Sequence, residues 1–235
     1  MSEKPTLDLK SLGVYSNTDI QASAHARVLV VGKPKAGKTC ALMTAPSPLL
    51  INCDSKNAAK GAAVHVKNPF SVVNVSTIST WEKALDTAVK GVNAGIFKSV
   101  VVDTVTLLCD NVIDNLKVKG FKGYDLWNEL DSIVRGGIKK LNGLNAHLFV
   151  SAHMVASHEG DEGILPMIPG QMREKIPALL DDYVMLVADP SKKPERQFLL
   201  GPQEKWTGSG RNVRRTCVIE ATVPALLEEF GIPHD

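Results

Sequence analysis

The chain has 235 residues, a hydrophobic fraction of 44%, a charged fraction of 22% and a formal net charge of +2. This length fits one large α/β domain, with or without a small appendage, and requires no disulfides for stability. The net charge is too small to indicate an acidic partner, and no apolar run approaches the roughly 18 residues of a membrane span. The polar amino terminus lacks a signal-peptide core and the four cysteines form no C-x-x-C pair, so we expect a cytoplasmic protein without a membrane partner.

Short apolar runs alternate with helical patterns after a polar segment, residues 1–25, which we interpret as an amino-terminal arm. Five runs predict strands: residues 27–31, 48–54, 71–77, 99–103 and 147–154. Helical patterns follow the first and fourth runs and also cover residues 124–144. Ser79 and Glu82 predict a capping box for one further helix.

Three more strand-like runs lie close together near the carboxyl end: residues 182–187, 196–201 and 214–220. A last helix is predicted to start at Thr222, with Pro224 in its first turn. Strands that alternate with helices predict a mostly parallel central sheet covered by helices on both faces, and the closely spaced last strands predict antiparallel additions at one edge. We therefore expect an α/β fold in a single domain, residues 26–235.

The sequence VGKPKAGKT, residues 31–39, contains a phosphate-binding motif. Gly32, Gly37, Lys38 and Thr39 occupy the fixed positions of G-x-x-x-x-G-K-[ST], after a predicted strand and before a predicted helix. In such a loop the backbone N–H groups face the β-phosphate, the lysine reaches the β- and γ-phosphates, and the hydroxyl binds Mg²⁺. The predicted nucleotide-binding residues are contiguous: Gly32, Lys33, Pro34, Lys35, Ala36, Gly37, Lys38, Thr39 and Cys40.

A magnesium nucleotide site requires a second carboxylate at the tip of an apolar strand, and Asp103 in VVVDT fits this role. We expect Asp103 to hold Mg²⁺ together with Thr39, although an aspartate here could also cap the helix that follows. Some ATPases place a glutamate next, but this position is Thr104. The candidates for the residue that orients water are Asp54 and Asp110, and we favour Asp54 because it ends a strand.

His153 ends the strand HLFVSAH, at the sheet edge where ligands collect. There it could hydrogen-bond a γ-phosphate, or it could be a hydrogen-bonded structural histidine. Both interpretations remain open at this point.

Several protein families share the phosphate loop, and membership of three of them can be tested by looking for the other sequence motifs that each requires. A GTPase requires an N-K-x-D guanine-binding motif, which is absent from the sequence. A ParA-type ATPase has K-G-G-x-G-K-T, but Pro34 and Lys35 replace its two glycines. A small-molecule kinase has a basic lid, and residues 190–217, with seven basic and two acidic residues, could form one or could be a solvated hairpin.

The motifs VGKPKAGKT, LLINCDSKNA, SVVVDTVTLL and HLFVSAHM, in this order, resemble the RecA-type ATPase core. More closely, YDLWNELDSIV, SAHM and LPMIPGQMREKIPALLDDYVMLV are similar to phage RecA-like proteins of single-strand annealing. These form the fourth Sak class, often described as AAA-domain nucleotide-binding proteins. The resemblance covers roughly residues 26–217 and implies ATP and Mg²⁺ as cofactors, single-stranded DNA as a partner and, for a phage protein, the host cytoplasm.

The resemblance also implies residue roles. The strand of His153 would lie between those of the phosphate loop and Asp103, which would make His153 a γ-phosphate sensor. Asp54 would take the place of an acidic base that is usually glutamate. Family members act as homo-oligomers or filaments in which a basic residue reaches the neighbouring subunit's nucleotide, and the candidates, with Arg211 first, are Arg211, Lys205 and Arg214. A single-strand DNA-binding protein is a further candidate partner.

For DNA contact, the resemblance points to the segment after the sensor strand, residues 154–171, which could form a β-hairpin with acidic residues at its tip (Glu159, Asp161 and Glu162). Of the tryptophans, we expect Trp127 in the core and Trp206 to be the better candidate for base stacking. The sequence thus predicts a Mg-ATP-dependent, single-stranded-DNA-binding ATPase for annealing or recombination. The alternatives are a small-molecule kinase and a nucleotide-dependent assembly module that does not hydrolyse ATP.

Overall fold

The computed structural model describes residues 24–156, 164–202, 208–213 and 215–233. The strands are β1 (Arg27–Gly32), β2 (Pro48–Asn52), β3 (Ser71–Asn74), β4 (Ser99–Asp103), β5 (His147–Ala156), β6 (Ile164–Pro166), β7 (Asp182–Ala188), β8 (Arg196–Leu200) and β9 (Cys217–Glu220). The helices are α1 (Lys38–Leu42), α2 (Lys56–His65), α3 (Ile78–Asn93), α4 (Val105–Val118), α5 (Gly123–Asn142), α6 (Met172–Lys175) and α7 (Val223–Phe230), with a 3₁₀ turn at Pro177–Leu179.

Within the described ranges, the strands form one sheet in the order β3-β2-β4-β5-β1-β7-β8-β9, with β6 paired to β5. The strands from β3 to β7 in this order are all parallel. Beyond β7, strands β8 and β9 are antiparallel additions. The predicted fold class, a mostly parallel sheet with antiparallel strands at the carboxyl-terminal edge, is therefore confirmed.

Strand β1 lies inside the sheet and is buried on both faces. Leu29 and Val31 pack into the core that α3, α4 and α5 cover, whereas Val28 and Val30 pack into the core that α1, α2 and α7 cover. A strand buried on both faces needs apolar side chains at successive positions, which explains the continuous run RVLVV.

The amino end of α3 differs from the prediction. The helix begins at Ile78 and its N-cap is Thr77, whose hydroxyl accepts from the Thr80 backbone N–H, while the Thr80 hydroxyl accepts from the Thr77 N–H. The capping box predicted at Ser79 and Glu82 is therefore wrong, because an earlier hydroxyl pair satisfies the same free N–H groups.

The predicted hairpin after the sensor strand is confirmed in its arms. Strand β6 pairs antiparallel with the end of β5, with Met154 opposite Pro166 and Ala156 opposite Ile164. The acidic tip lies outside the described residues, as do residues 1–23 of the predicted arm. None of the helices in the described ranges has the length and apolar character that a bilayer crossing requires.

The prediction for Trp127 is wrong. Its side chain is 49% exposed on α5, whereas Trp81 of α3 is the tryptophan in this core, with 1% of its surface exposed. Helical spacing placed Leu126 and Leu130 correctly in the core, and Trp127 lies one position beyond their face. The exposed indole is therefore available to a ligand.

Candidate functional site

The phosphate loop joins the end of β1 to α1, and two of its glycines have no acceptable replacement. Gly37, the N-cap of α1, has φ 99°, a left-handed conformation that favours glycine. A Cβ on Gly32 would lie 2.8 Å from the carbonyl oxygen of Leu186 on the neighbouring β7. The local geometry thus explains both fixed glycines of the motif.

Lys38 is folded back onto the loop. Its Nζ donates to the carbonyl oxygens of Gly32 (2.9 Å) and Lys33 (3.0 Å) and lies 3.2 Å from His153 Nδ1. Burial lowers the pKa of the Lys38 ammonium, and the carboxylates of Asp103 and Asp54 oppose this effect. Lys38 is 5% exposed, so its ammonium lies within the loop against these partners.

Asp103 and Thr39, the residues predicted to hold Mg²⁺, meet directly. The Thr39 hydroxyl donates to Asp103 Oδ2 at 2.6 Å, and the Ser151 hydroxyl donates to Asp103 Oδ1. A hydroxyl and a carboxylate side by side offer the oxygen ligands that Mg²⁺ prefers, so the residues present fit the ion. The alternative that Asp103 caps α4 is wrong, because the N-cap is Thr104, whose hydroxyl accepts from Leu107 N–H at 3.3 Å.

His153 lies beside the phosphate loop on the strand between β1 and β4, as the resemblance implied. It stands opposite Gly32 in the β1–β5 pairing, and its backbone N–H donates to Thr106 Oγ1 at 3.0 Å. Burial and the Lys38 charge lower the pKa of the imidazole. The lowered pKa favours the neutral imidazole, and because the Lys38 ammonium has only N–H donors, its contact with Nδ1 favours the tautomer that carries the proton on Nε2.

Asp54 is exposed in the turn after β2, near the same group of charges. Its carboxylate acts to raise the pKa values of both Lys38 and His153. Its backbone N–H donates to the Asn52 side chain at 3.3 Å. Asp110 also acts on the pKa of His153, more weakly than Asp54, so the structure keeps it near the site.

Arg211 is far from the loop of its own chain. Its side chain is 83% exposed and pairs with Asp181 at 2.9 Å. Asp181 precedes β7 at the amino edge of the sheet, opposite the edge that carries the loop. If Arg211 acts on a nucleotide, that nucleotide must belong to another subunit, and this role stays a prediction. Lys205, Trp206 and Arg214 lie outside the described residues.

Within the described parts of the basic segment, residues 190–217, Arg196–Leu200 forms β8, which lies between β7 and β9, and Cys217 begins β9 at the end of the strand order. One residue of this segment, Arg196, reaches the phosphate loop and lies against Gly37. Sequence reasoning also missed Ser151 and Thr106 as partners of Asp103 and His153. A serine inside an apolar strand is a signal for Ser151, but nothing in the sequence places Arg196 beside Gly37.

A protein-family model described as an AAA domain, AAA_24, matches residues 24–212. No curated protein matches the sequence.

Two solved structures align with this chain. A prototypical ATPase from the type III secretion system of pathogenic bacteria aligns with a TM-score of 0.54 and 10% identity over 86% of this chain and 62% of that chain. This chain thus spans about 62% of that ATPase's length. A KaiC-like protein from the hyperthermophilic archaeon Pyrococcus horikoshii OT3 aligns with a TM-score of 0.45 and 10% identity, over 81% of this chain and 82% of that one.

Proposed function

The chain belongs to the AAA-domain family and has the fold of RecA-like P-loop ATPases, and from this premise we propose that it is a Mg-ATP-dependent ATPase that binds single-stranded DNA and promotes annealing. The proposal of DNA binding rests on one observation, an exposed corner between α4 and α5 that contains basic and aromatic residues. The resemblance to phage RecA-like annealing proteins supports the same conclusion.

The site supports the nucleotide part of the proposal. Lys38 would bind the β- and γ-phosphates, and Thr39 and Asp103 would hold Mg²⁺, which would supply positive charge to neutralise the phosphates. The His153 Nε2–H group donates to the γ-phosphate and loses this partner after hydrolysis. Asp54 orients the attacking water; its side chain is shorter than the glutamate usual at this place, so we expect slow turnover.

The α4–α5 corner, residues 117–124, is suited to a nucleic-acid backbone. It contains Lys117, Lys119 and Lys122, all exposed, and no acidic residue. Tyr124, at its end, is 78% exposed. Lysines neutralise phosphates, and exposed aromatic rings stack on unpaired bases, so this combination is typical of single-strand binding.

The corner continues into a second aromatic surface. Tyr124 and Trp127 line a cleft of about 420 Å³ with Pro169, Gly170 and Gln171, the segment that follows β6. The corner and the segment that follows β6 therefore border one cleft, where a single strand could contact lysines and rings together.

Helix α4 connects this surface to the nucleotide. Its first turn supplies Thr106, which holds the backbone of His153, and its middle supplies Asn111, whose side chain donates to the carbonyl oxygen of Cys53 at 3.2 Å. Cys53 immediately precedes Asp54. A change at the γ-phosphate thus reaches α4 through both strand tips and is carried to the corner.

Assembly completes the proposal. ATP bridges subunits in a homo-oligomer, with Arg211 as the candidate contact in trans, and the assembled state holds single strands for pairing. A single-strand DNA-binding protein would deliver the strands, and hydrolysis releases them.

The test is fluorescence anisotropy with a labelled oligo-dT strand, with and without Mg-ATP. Changing Lys117, Lys119 and Lys122 together to Gln should weaken binding at least tenfold. It should also reduce the salt dependence, the slope of log K against log salt, by about 2, since each phosphate contact on a single strand contributes about 0.7.

The matched control changes Lys60, Lys83 and Lys90 to Gln, which removes the same charge from exposed positions on α2 and α3. This variant should bind like the wild type. Equal loss in both variants would contradict a localised DNA surface, and wild type that binds ATP but no DNA would favour the kinase alternative.

Hydrolysis is tested separately with Asp54→Asn. Phosphate release should fall at least tenfold while Mg-ATP-dependent DNA binding persists. If wild type releases no phosphate yet changes size with Mg-ATP, the chain is the assembly module, and Asp54 has no catalytic role.

A further inference from the structure

Arg196, the first residue of β8, lies over the phosphate loop. A Cβ added to Gly37 would lie 2.5 Å from Arg196 Nε and 2.8 Å from its Cδ. Independently, the Arg196 charge acts to lower the pKa of the Cys40 thiol on α1, against the larger effect of burial. Two observations thus place this guanidinium beside the start of α1.

The Arg196 charge has no counter-ion in the described part of the chain, since no carboxylate there forms an ion pair with it. The loop that it covers already contains Lys33, Lys35 and Lys38. Holding another cation against a basic loop is unfavourable unless an anion lies between them. This arrangement therefore suits a phosphate group.

The order of the strands defines which phosphate this is. Asp103 and His153, which would face the reacting end of a nucleotide, lie on β4 and β5, on one side of β1. Arg196 lies on β8, on the other side. A phosphate chain whose terminal group faces His153 directs its opposite end, which bears the nucleoside, toward Arg196.

A cleft of about 610 Å³ begins at this point. It runs over the outer surface of α1 past Cys40 and Thr44, between Asn68 after α2 and Glu220 at the end of β9, with Arg196 also in its lining. The volume is in the range of small-molecule sites. The carboxylate of Glu220, exposed on the lining, can accept from ribose hydroxyls or an exocyclic amine.

We propose that this cleft is the nucleoside subsite and that Arg196 joins it to the phosphate loop by binding the phosphate nearest the nucleoside. The proposal rests on nucleotide binding at the loop, which is part of the proposed function, and not on DNA.

Calorimetric titration of the full chain with Mg-ATP and with inorganic tripolyphosphate tests it. Arg196→Gln should weaken both ligands about tenfold or more, since a hydrogen bond to a charged group is lost. Lys192→Gln removes one charge from the same β7–β8 connection, and its binding should be unchanged. Glu220→Trp should weaken ATP by filling the cleft and leave tripolyphosphate binding unchanged.

A second measurement needs no variant. Mg-ATP should slow alkylation of Cys40, followed by mass spectrometry, whereas Cys217, the other partly exposed cysteine, should react at an unchanged rate. Tripolyphosphate should protect Cys40 less than ATP.

The outcomes separate the two proposals. If wild type binds no ATP, or if Lys38→Ala binds it normally, nucleotide binding at the loop is wrong. If ATP binds through Lys38, but Cys40 stays unprotected or the Arg196→Gln and Glu220→Trp variants bind ATP like wild type, the subsite is overturned while the ATP site stands.

Discussion

Ser151→Ala would remove the donor that faces Asp103 from inside the sheet. The Ser151 side chain is fully buried and Asp103 is 1% exposed, so water cannot replace the lost hydroxyl. Asp103 Oδ2 would keep its bond from Thr39, but Oδ1 would lose its bond from Ser151. The change therefore tests whether the carboxylate is held in place by its neighbours.

A hydrogen bond to a charged group contributes about 1.5–3 kcal/mol to stability. In the variant, Asp103 Oδ1 would be buried without this bond, and its lost solvation would not be compensated. We therefore expect the free energy of unfolding to fall by about 1.5–3 kcal/mol. For a chain of this size about 1 kcal/mol shifts Tm by about 2–4 °C, so Tm should fall by about 3–12 °C. Affinity for Mg-ATP should fall as well, because Asp103 is then less firmly oriented.

Ser99 provides a matched control, since it is also a fully buried serine, on β4 of the same sheet. Its hydroxyl has no hydrogen-bond partner in the described part of the protein. Ser99→Ala removes an unpaired polar atom, so stability should be unchanged or rise by up to about 1 kcal/mol. The assay is urea unfolding of both variants, and equal effects at Ser99 and Ser151 would refute the reasoning.

Two further predictions concern the core and the sensor. Gly136→Ala should stabilise the protein by about 1 kcal/mol, because a Cβ at this position of α5 meets open space. Gly137→Ala should destabilise the protein by about 1–3 kcal/mol, because its Cβ would lie 2.7 Å from Trp81 Cε2. Thermal unfolding of both variants measures the difference. The pKa of His153 in the folded protein lies below its ordinary value of 6.5. As the pH falls, the imidazole is therefore protonated in the unfolded chain before it is protonated in the folded one. The free energy of unfolding consequently decreases from near pH 6.5 down to the folded pKa. His153→Gln should therefore lose less stability on acidification than wild type, and identical pH profiles would exclude a buried neutral ring beside Lys38.

The parts of the site that could be predicted are those that lie close together in sequence or at strand ends. The phosphate loop is contiguous, so its glycines, lysine and threonine could be assigned from the sequence alone. Asp103 and His153 could be placed because parallel strands bring their carboxyl ends to one edge, whichever order the strands take.

The rest depends on pairings that periodicity does not encode. Arg196 reaches Gly37 only because β8 returns antiparallel beside β7, and its position follows from the tertiary fold rather than from a local pattern. Trp127 was misplaced because an indole was expected to be buried, whereas the α5 face that meets the core was already filled by leucines and by Trp81 at Gly137. The exposure of Trp127 thus depends on which side chains fill the core beside α5, and the sequence of α5 alone does not specify them.

The distribution of buried polar residues gives independent support for the location of the site. In the described part of the chain nine polar or charged residues are buried, and six of them lie at or near the carboxyl edge of the sheet: Lys38, Asn52, Asp103, Thr104, Thr106 and Ser151. Burying such groups costs free energy that only hydrogen bonds offset, so a fold selected for stability alone would place apolar residues there. Among them, Lys38 and Thr106 contact His153, Ser151 donates to Asp103, and Asn52 accepts from the backbone N–H of Asp54. Buried polar residues that lie together at one sheet edge and form hydrogen bonds with one another are expected of a functional site. The phosphate loop lies at this same edge.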